Sequence, residues 1–182
     1  MKESMFCFQC QETAKGTGCT VRGVCGKNST TSARMDLLLF VIRGISIAAH
    51  TLRTHRILPD PQVNAFVIDA LFSTITNANF DEKSITERIN RGFNLRNRLV
   101  AQASSAGITF PSADELTWNG APEAYDDKAA EVGVLREPNE DLRSLKELIV
   151  YGLKGMAAYT GHAMRLGYDL SLIHISEPTR RV

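Results

Sequence analysis

The chain has 182 residues, 43% hydrophobic and 23% charged, an ordinary globular composition that excludes a disordered or collagen-like protein. Twenty-one basic against 20 acidic residues leave a net charge of +1, which removes the electrostatic argument for a nucleic-acid partner. There are 4 cysteines, and all fall within the first 25 residues.

Residues 1–32 are rich in Cys, Gly, Thr and Lys with almost no apolar periodicity, and are predicted to be a loop wrapped around a bound group. Met35, Leu38, Leu39, Ile42, Ile45, Ile47 and Ala49 then keep helical spacing and predict a first helix ending near His55. That apolar stretch contains Asp36 and Arg43 and is expected to fall short of a membrane span.

Asp60-Pro61 reads as a helix cap followed by proline at the first helical position. Val63, Phe66, Val67, Ala70, Leu71 and Ile75 form one face of this second helix, predicted to end near Asn77–Asn79. A third helix begins around Asp81 or at a capping box, Ser84-x-x-Glu87, and turns Ile85, Ile89, Phe93 and Leu99 inward. Its interleaved arginines, Arg88, Arg91, Arg96 and Arg98, read as a solvated face.

Residues 105–138 are broken by Gly and Pro and hold the only tryptophan, Trp118; they predict a long ordered connection or one short helix. Asn139 can cap a last helix in which Leu142, Leu145, Leu148, Ile149, Leu153, Met156 and Ala163 recur at three- and four-residue steps. Gly152, Gly155 and Gly161 on that helix are expected to admit a close neighbour. The predicted class is all-α, a Cys-rich loop followed by three-helix bundles with no substantial sheet.

The start of the chain carries no secretory signal pattern, so the expected compartment is the cytoplasm, where thiols stay reduced and clustered cysteines favour metal or redox chemistry over disulfides. Cys7, Cys10, Cys19 and Cys25 give C-x2-C-x8-C-x5-C. Four thiolates suit an iron–sulfur cluster or a tetrahedral zinc. The long gaps are loose for zinc knuckles, whereas a cubane tolerates uneven spacing; zinc and simple buried thiols stay open. Lys2, Lys15, Arg22 and Lys27 outnumber Glu3 and Glu12, which suits an anionic cofactor, and amides near Gly23 and Gly26 are candidate donors to cluster sulfurs.

The opening Met5-Phe-Cys-Phe-Gln-Cys-Gln-Glu-Thr-Ala and Gly18-Cys-Thr-Val-Arg-Gly-Val-Cys-Gly-Lys27 resemble the N-terminus of the hybrid cluster protein family, also called prismane proteins or hydroxylamine reductases. Leu71–Phe80 and Val150–Tyr159 resemble the same family, so the likeness covers about residues 5–169. It implies that Cys7, Cys10, Cys19 and Cys25 ligate a [4Fe-4S] cluster, a longer-spaced variant of the family carrying [2Fe-2S] instead. It further implies a relay of single electrons from a donor of unknown identity to a hybrid iron–sulfur–oxygen centre, where hydroxylamine is reduced to ammonia and water.

The family ligates that centre with His, Glu, Cys and Lys residues beyond position 182, so no catalytic or substrate-binding residue is expected here. The chain reads as the electron-entry part of the enzyme, inactive alone. Whether the whole enzyme works on hydroxylamine or nitric oxide rests on the absent centre, and no membrane or nucleic-acid partner is expected. The rival functions are a stand-alone electron-transfer or redox-sensing module and a zinc-stabilised helical interaction domain.

The expected organisation is a cluster-binding loop over 1–32, a helical bundle over 33–169, and a foreign tail over 170–182. Leu170-Ser-Leu-Ile-His-Ile-Ser-Glu-Pro-Thr-Arg180 is what a transposase adapter used in sequencing libraries encodes, and it is expected to pack poorly. His50 and His55 do not share a helix face and read as surface or core histidines; His162, Tyr151 and Tyr159 read as packing residues, and Asn77 and Asn79 as helix-end caps.

Overall fold

The computed structural model describes residues 5–10, 12–75 and 77–168. Six α-helices are present among them: α1 (Ser29–Thr54), α2 (Pro61–Ser73), α3 (Glu82–Ser105), α4 (Asp114–Thr117), α5 (Tyr125–Val132) and α6 (Glu140–Arg165). No strand pairing beyond one isolated bridge occurs among the described residues, so the fold is all-α, as the periodicity predicts. The suspected foreign tail, 170–182, lies outside the described residues.

Helix α1 is the axis of the core. Asn28 starts it by accepting from the Thr31 amide at 2.8 Å, and Met35, Leu37, Leu38, Val41, Ile45, Ala48 and Leu52 are buried along it. By length and composition this one described helix could cross a membrane, which the sequence expectation underrated; 61% of its apolar window is buried inside the fold. That burial, with Arg34 buried and ion-paired to Asp126 on α5, makes α1 a core helix of this fold.

Asp60 caps α2 through the Gln62 amide, with Pro61 at the first position as expected. The helix ends at Ser73, short of the predicted Asn77–Asn79, because the Ser73 and Thr74 hydroxyls bond back to Ala70 and Leu71 carbonyls and Asn77 turns to a positive φ of 59°. Asp81, not Ser84, caps α3; the Ser84 hydroxyl instead accepts from Arg88. Ile85, Ile89, Phe93 and Leu99 are buried against α1, as expected.

Arg96 corrects the solvated-arginine reading. It is fully buried, donates to the Glu115 carbonyl at 2.9 Å and to Asn119 Oδ1 at 2.7 Å, and lies over the Phe93 ring. The segment 105–138 holds two short α-helices where at most one was expected. It folds as α4 and α5 and lays Trp118 and Tyr125 against Phe40 and Phe93, with ring centroids 5.6–6.2 Å apart.

Helix α6 starts as predicted, with Asn139 Oδ1 accepting from the Leu142 amide. Its orientation is the surprise. Ala157 and Lys154 are buried, His162 stacks edge-on to Phe72 of α2, and a Cβ added at Gly161 would lie 3.7 Å from Ile68 Cγ2. Gly152 and Gly155 face open space, contrary to the expected close neighbour. Leu142, Leu145, Leu148, Ile149, Leu153, Met156 and Tyr159 are all exposed, because the helix turns its small and polar side to α2 and its apolar stripe to solvent. An apolar stripe of that extent drives association. The chain should therefore sediment as a dimer or larger species, and a Leu145→Glu/Ile149→Glu variant as a monomer with unchanged helix content. Unaltered sedimentation of the variant would place the contact elsewhere.

Candidate metal centre

The cysteine loop is held by two sets of contacts within itself and by one to the start of α1. Cys7 and Cys19 sit opposite one another, Cys7 N donating to Cys19 O at 3.0 Å and Cys19 N to Cys7 O at 2.9 Å. The Ser32 hydroxyl at the start of α1 donates to the Phe6 carbonyl at 3.3 Å. A tight turn carries Cys25: Gly26 N donates to Gly23 O at 2.8 Å, Gly23 N to Lys27 O at 2.9 Å, and Arg22 Nε to Gly26 O. Gly26 holds φ 99°, a conformation that side chains other than glycine's resist. Of the amides in the stretch expected to supply donors to cluster sulfurs, those of Gly23 and Gly26 themselves are spent inside this turn.

Cys7 and Cys19 are buried, while Cys10 and Cys25 are half-buried, and all four are free thiols. The structure pairs Cys7 with Cys19, and it brings Cys7, Cys10 and Cys25 within reach of one cation, Lys27. Burial pushes the Lys27 ammonium below its ordinary value, and the three thiolates pull it back up. Among the described residues, however, no three Cys, His, Asp or Glu side chains converge tightly enough to hold a single metal ion.

The donor set itself, four thiols in one loop beside a buried lysine, fits a thiolate-ligated cluster of net negative charge. Burial pushes the Cys7 thiol up, partly offset by its hydrogen bond with Ser32.

The basic residues of the loop were counted in the sequence, but their partners, and the charged groups brought in from elsewhere, were not legible there. Lys27 donates to the Ile75 carbonyl at 3.1 Å and to Met35 Sδ at 3.4 Å, and lies over Phe80. Lys154, from the far end of the chain, donates to the Gln9 carbonyl at 3.1 Å and to Gln9 Oε1; Gln9 Nε2 in turn donates to Asp36 Oδ1. Burial pushes Asp36 up to about 7 and Lys154 down to about 8. Asp36 also lines a pocket of about 440 Å³ between the loop, α1 and α5, beside Met5, Ser32, Ala129 and Leu135. His55 Nδ1 sits 2.9 Å from the Thr51 carbonyl at the end of α1, and His162 packs on Phe72.

A helical fold with a loop of four free thiols beside two buried lysines defines a class of proteins in which helices hold a thiol-bearing loop. The comparisons narrow that class. The chain belongs to the Prismane/CO dehydrogenase family, whose profile matches residues 5–176. It is 53% identical over 166 residues to a hydroxylamine reductase of Bacteroides thetaiotaomicron, covering 91% of this chain and 30% of the relative. Hydroxylamine reductases of Porphyromonas gingivalis (48% over 169 residues, 92% of this chain and 31% of the relative) and Desulfitobacterium hafniense (50% over 169 residues, 91% and 31%) are similar too. The chain thus spans about 30% of the length of these relatives.

Proposed function

We propose that this chain is the electron-entry part of a hydroxylamine reductase, with Cys7, Cys10, Cys19 and Cys25 ligating one [4Fe-4S] cluster. The observation that carries the proposal is the gathering of four free thiols into one loop, three of them close enough to act on the buried Lys27 ammonium, at the start of a chain belonging to the prismane family. Such a cluster supplies reversible one-electron transfer when bound.

The protein around the loop does the rest. The Cys7–Cys19 bridge fixes two ligands by backbone hydrogen bonds, and the Gly23–Lys27 turn fixes a third independently of its side chain. Half-buried Cys10 and Cys25 leave one side of the loop near solvent, where an external donor of electrons can approach. The cytoplasm, which keeps these thiols reduced, is the compartment this chemistry suits.

In the whole enzyme, hydroxylamine would receive two electrons and two protons to give ammonia and water at a hybrid cluster held by residues outside this chain. The loop would deliver those electrons singly. The test uses the complete reading frame that extends this chain. Hydroxylamine-dependent oxidation of a reduced viologen dye should fall at least tenfold in Cys10→Ser or Cys25→Ser, with the second cluster still present by electron paramagnetic resonance. Unchanged turnover in both variants would show that electrons enter elsewhere.

A further inference from the structure

Lys154 is 1% exposed on a helix whose flanking residues Leu153 and Met156 are open to solvent. A buried ammonium is costly unless acceptors and anions surround it. Here the acceptors are both oxygens of Gln9, a residue lying between Cys7 and Cys10 and 4% exposed itself. The charged groups facing Lys154 are Asp36 of α1, Glu147 of α6, Cys7 of the loop, and Lys27, which repels it. Gln9 spans the gap by donating to Asp36, so α6, the loop and α1 meet in one hydrogen-bonded line. No other described contact ties the last helix to the Cys7–Cys10 segment through a charge.

We propose that Lys154 is a positioning residue for the cluster: from α6 it holds the Cys7–Cys10 segment through both oxygens of Gln9, and its positive charge raises the cluster's reduction potential. The inference rests on the cluster assignment made above. One-electron reduction adds one negative charge to the cluster and breaks no bond, the electron coming from the reductant used in the titration. A buried cation beside the ligands favours that added charge, and the low local dielectric magnifies the effect. Lys27 supplies a second cation on the same loop, but it is a sequence neighbour of Cys25 and reports on the turn as well. Lys154, 145 residues from Gln9, reports on the charge and the tether alone.

The experiment is a dithionite titration of the full chain, reconstituted anaerobically with iron and sulfide and followed by electron paramagnetic resonance. Lys154→Gln keeps an amide donor for Gln9 and deletes the charge; Lys154→Arg keeps the charge. Lys154→Gln should disfavour the reduced cluster about tenfold, which is about 59 mV lower for a one-electron couple, while Lys154→Arg stays within threefold of the parent chain. Lys146→Met, whose lysine is exposed and pairs with Glu137, should leave the midpoint in place.

Equal midpoints in the parent and Lys154→Gln, with iron and sulfide bound in both, would overturn this proposal and leave the cluster assignment standing. A parent chain that takes up neither iron nor sulfide would overturn both. Should Lys154→Gln lose helix content, Lys154→Arg decides: a parental midpoint supports the charge role, and a displaced one overturns it.

Discussion

Gly44→Ala should destabilise the chain by about 3 kcal/mol and lower its melting temperature by about 10 °C. Gly44 lies in the middle of α1, where an added Cβ would sit 2.1 Å from the Glu115 carbonyl oxygen and 3.0 Å from Arg96 Cδ. Neither can step aside. The carbonyl belongs to the short helix α4, and Arg96 is fully buried with its guanidinium bonded to that same oxygen at 2.9 Å. Relief would therefore push α4 off α1 and disturb Trp118 in its aromatic cluster with Phe40 and Phe93. Gly152→Ala provides the opposite case: its Cβ meets nothing, and exchanging glycine for alanine inside an exposed helix stabilises by up to about 1 kcal/mol. Urea unfolding followed by circular dichroism reads both. A Gly44→Ala variant within about 0.5 kcal/mol of the parent would refute the close packing of α4 on α1.

Asp36→Asn should stabilise the metal-free chain at pH about 8 and have little effect near pH 4. Burial is the largest influence on Asp36 and moves it from 3.8 to about 7, against the pull of the Gln9 amide, Lys154 and Arg43, with Glu147 adding to the rise. The folded carboxyl thus keeps its proton to higher pH than the unfolded one. The stability this contributes is complete below pH about 4 and is lost as pH rises through about 7. The full loss corresponds to about 4 kcal/mol. Asparagine keeps an acceptor for Gln9 and cannot ionise. Denaturant unfolding of both chains at the two pH values checks it. An unfolding free-energy gap that stays constant from pH 4 to 8 would contradict a desolvated Asp36.

The helices were largely legible because their signals are local. Asp60, Asp81 and Asn139 lie next to the helices they cap, and Ile85, Ile89, Phe93 and Leu99 mark the buried side of α3 by period alone. The failures share one physical cause, dependence on partners far along the chain. Arg96 looked like its exposed neighbours because the oxygens that receive it, on Glu115 and Asn119, belong to a segment read as connection. Helix α6 misled in the opposite sense: its apolar stripe is the exposed side, and the side it buries carries Lys154 and Ala157.

At the site, the four cysteines are conspicuous by spacing, and the family resemblance on the residues around them agrees with the family match over 5–176. The environment that would tune them was invisible. Gln9 and Lys154 are 145 residues apart, and Lys27 reaches Ile75 across 48. No periodicity or motif links such positions; only the fold brings them to one loop.

The measurement that bears most directly on the cluster is the metal and sulfide content of the chain purified without oxygen. A brown protein with iron and acid-labile sulfide in equal amounts, about four of each per chain, bleached by dithionite and lost in Cys10→Ser and Cys25→Ser, is the result expected of a four-thiolate cubane. A colourless protein carrying one zinc, or no metal at all, would contradict it.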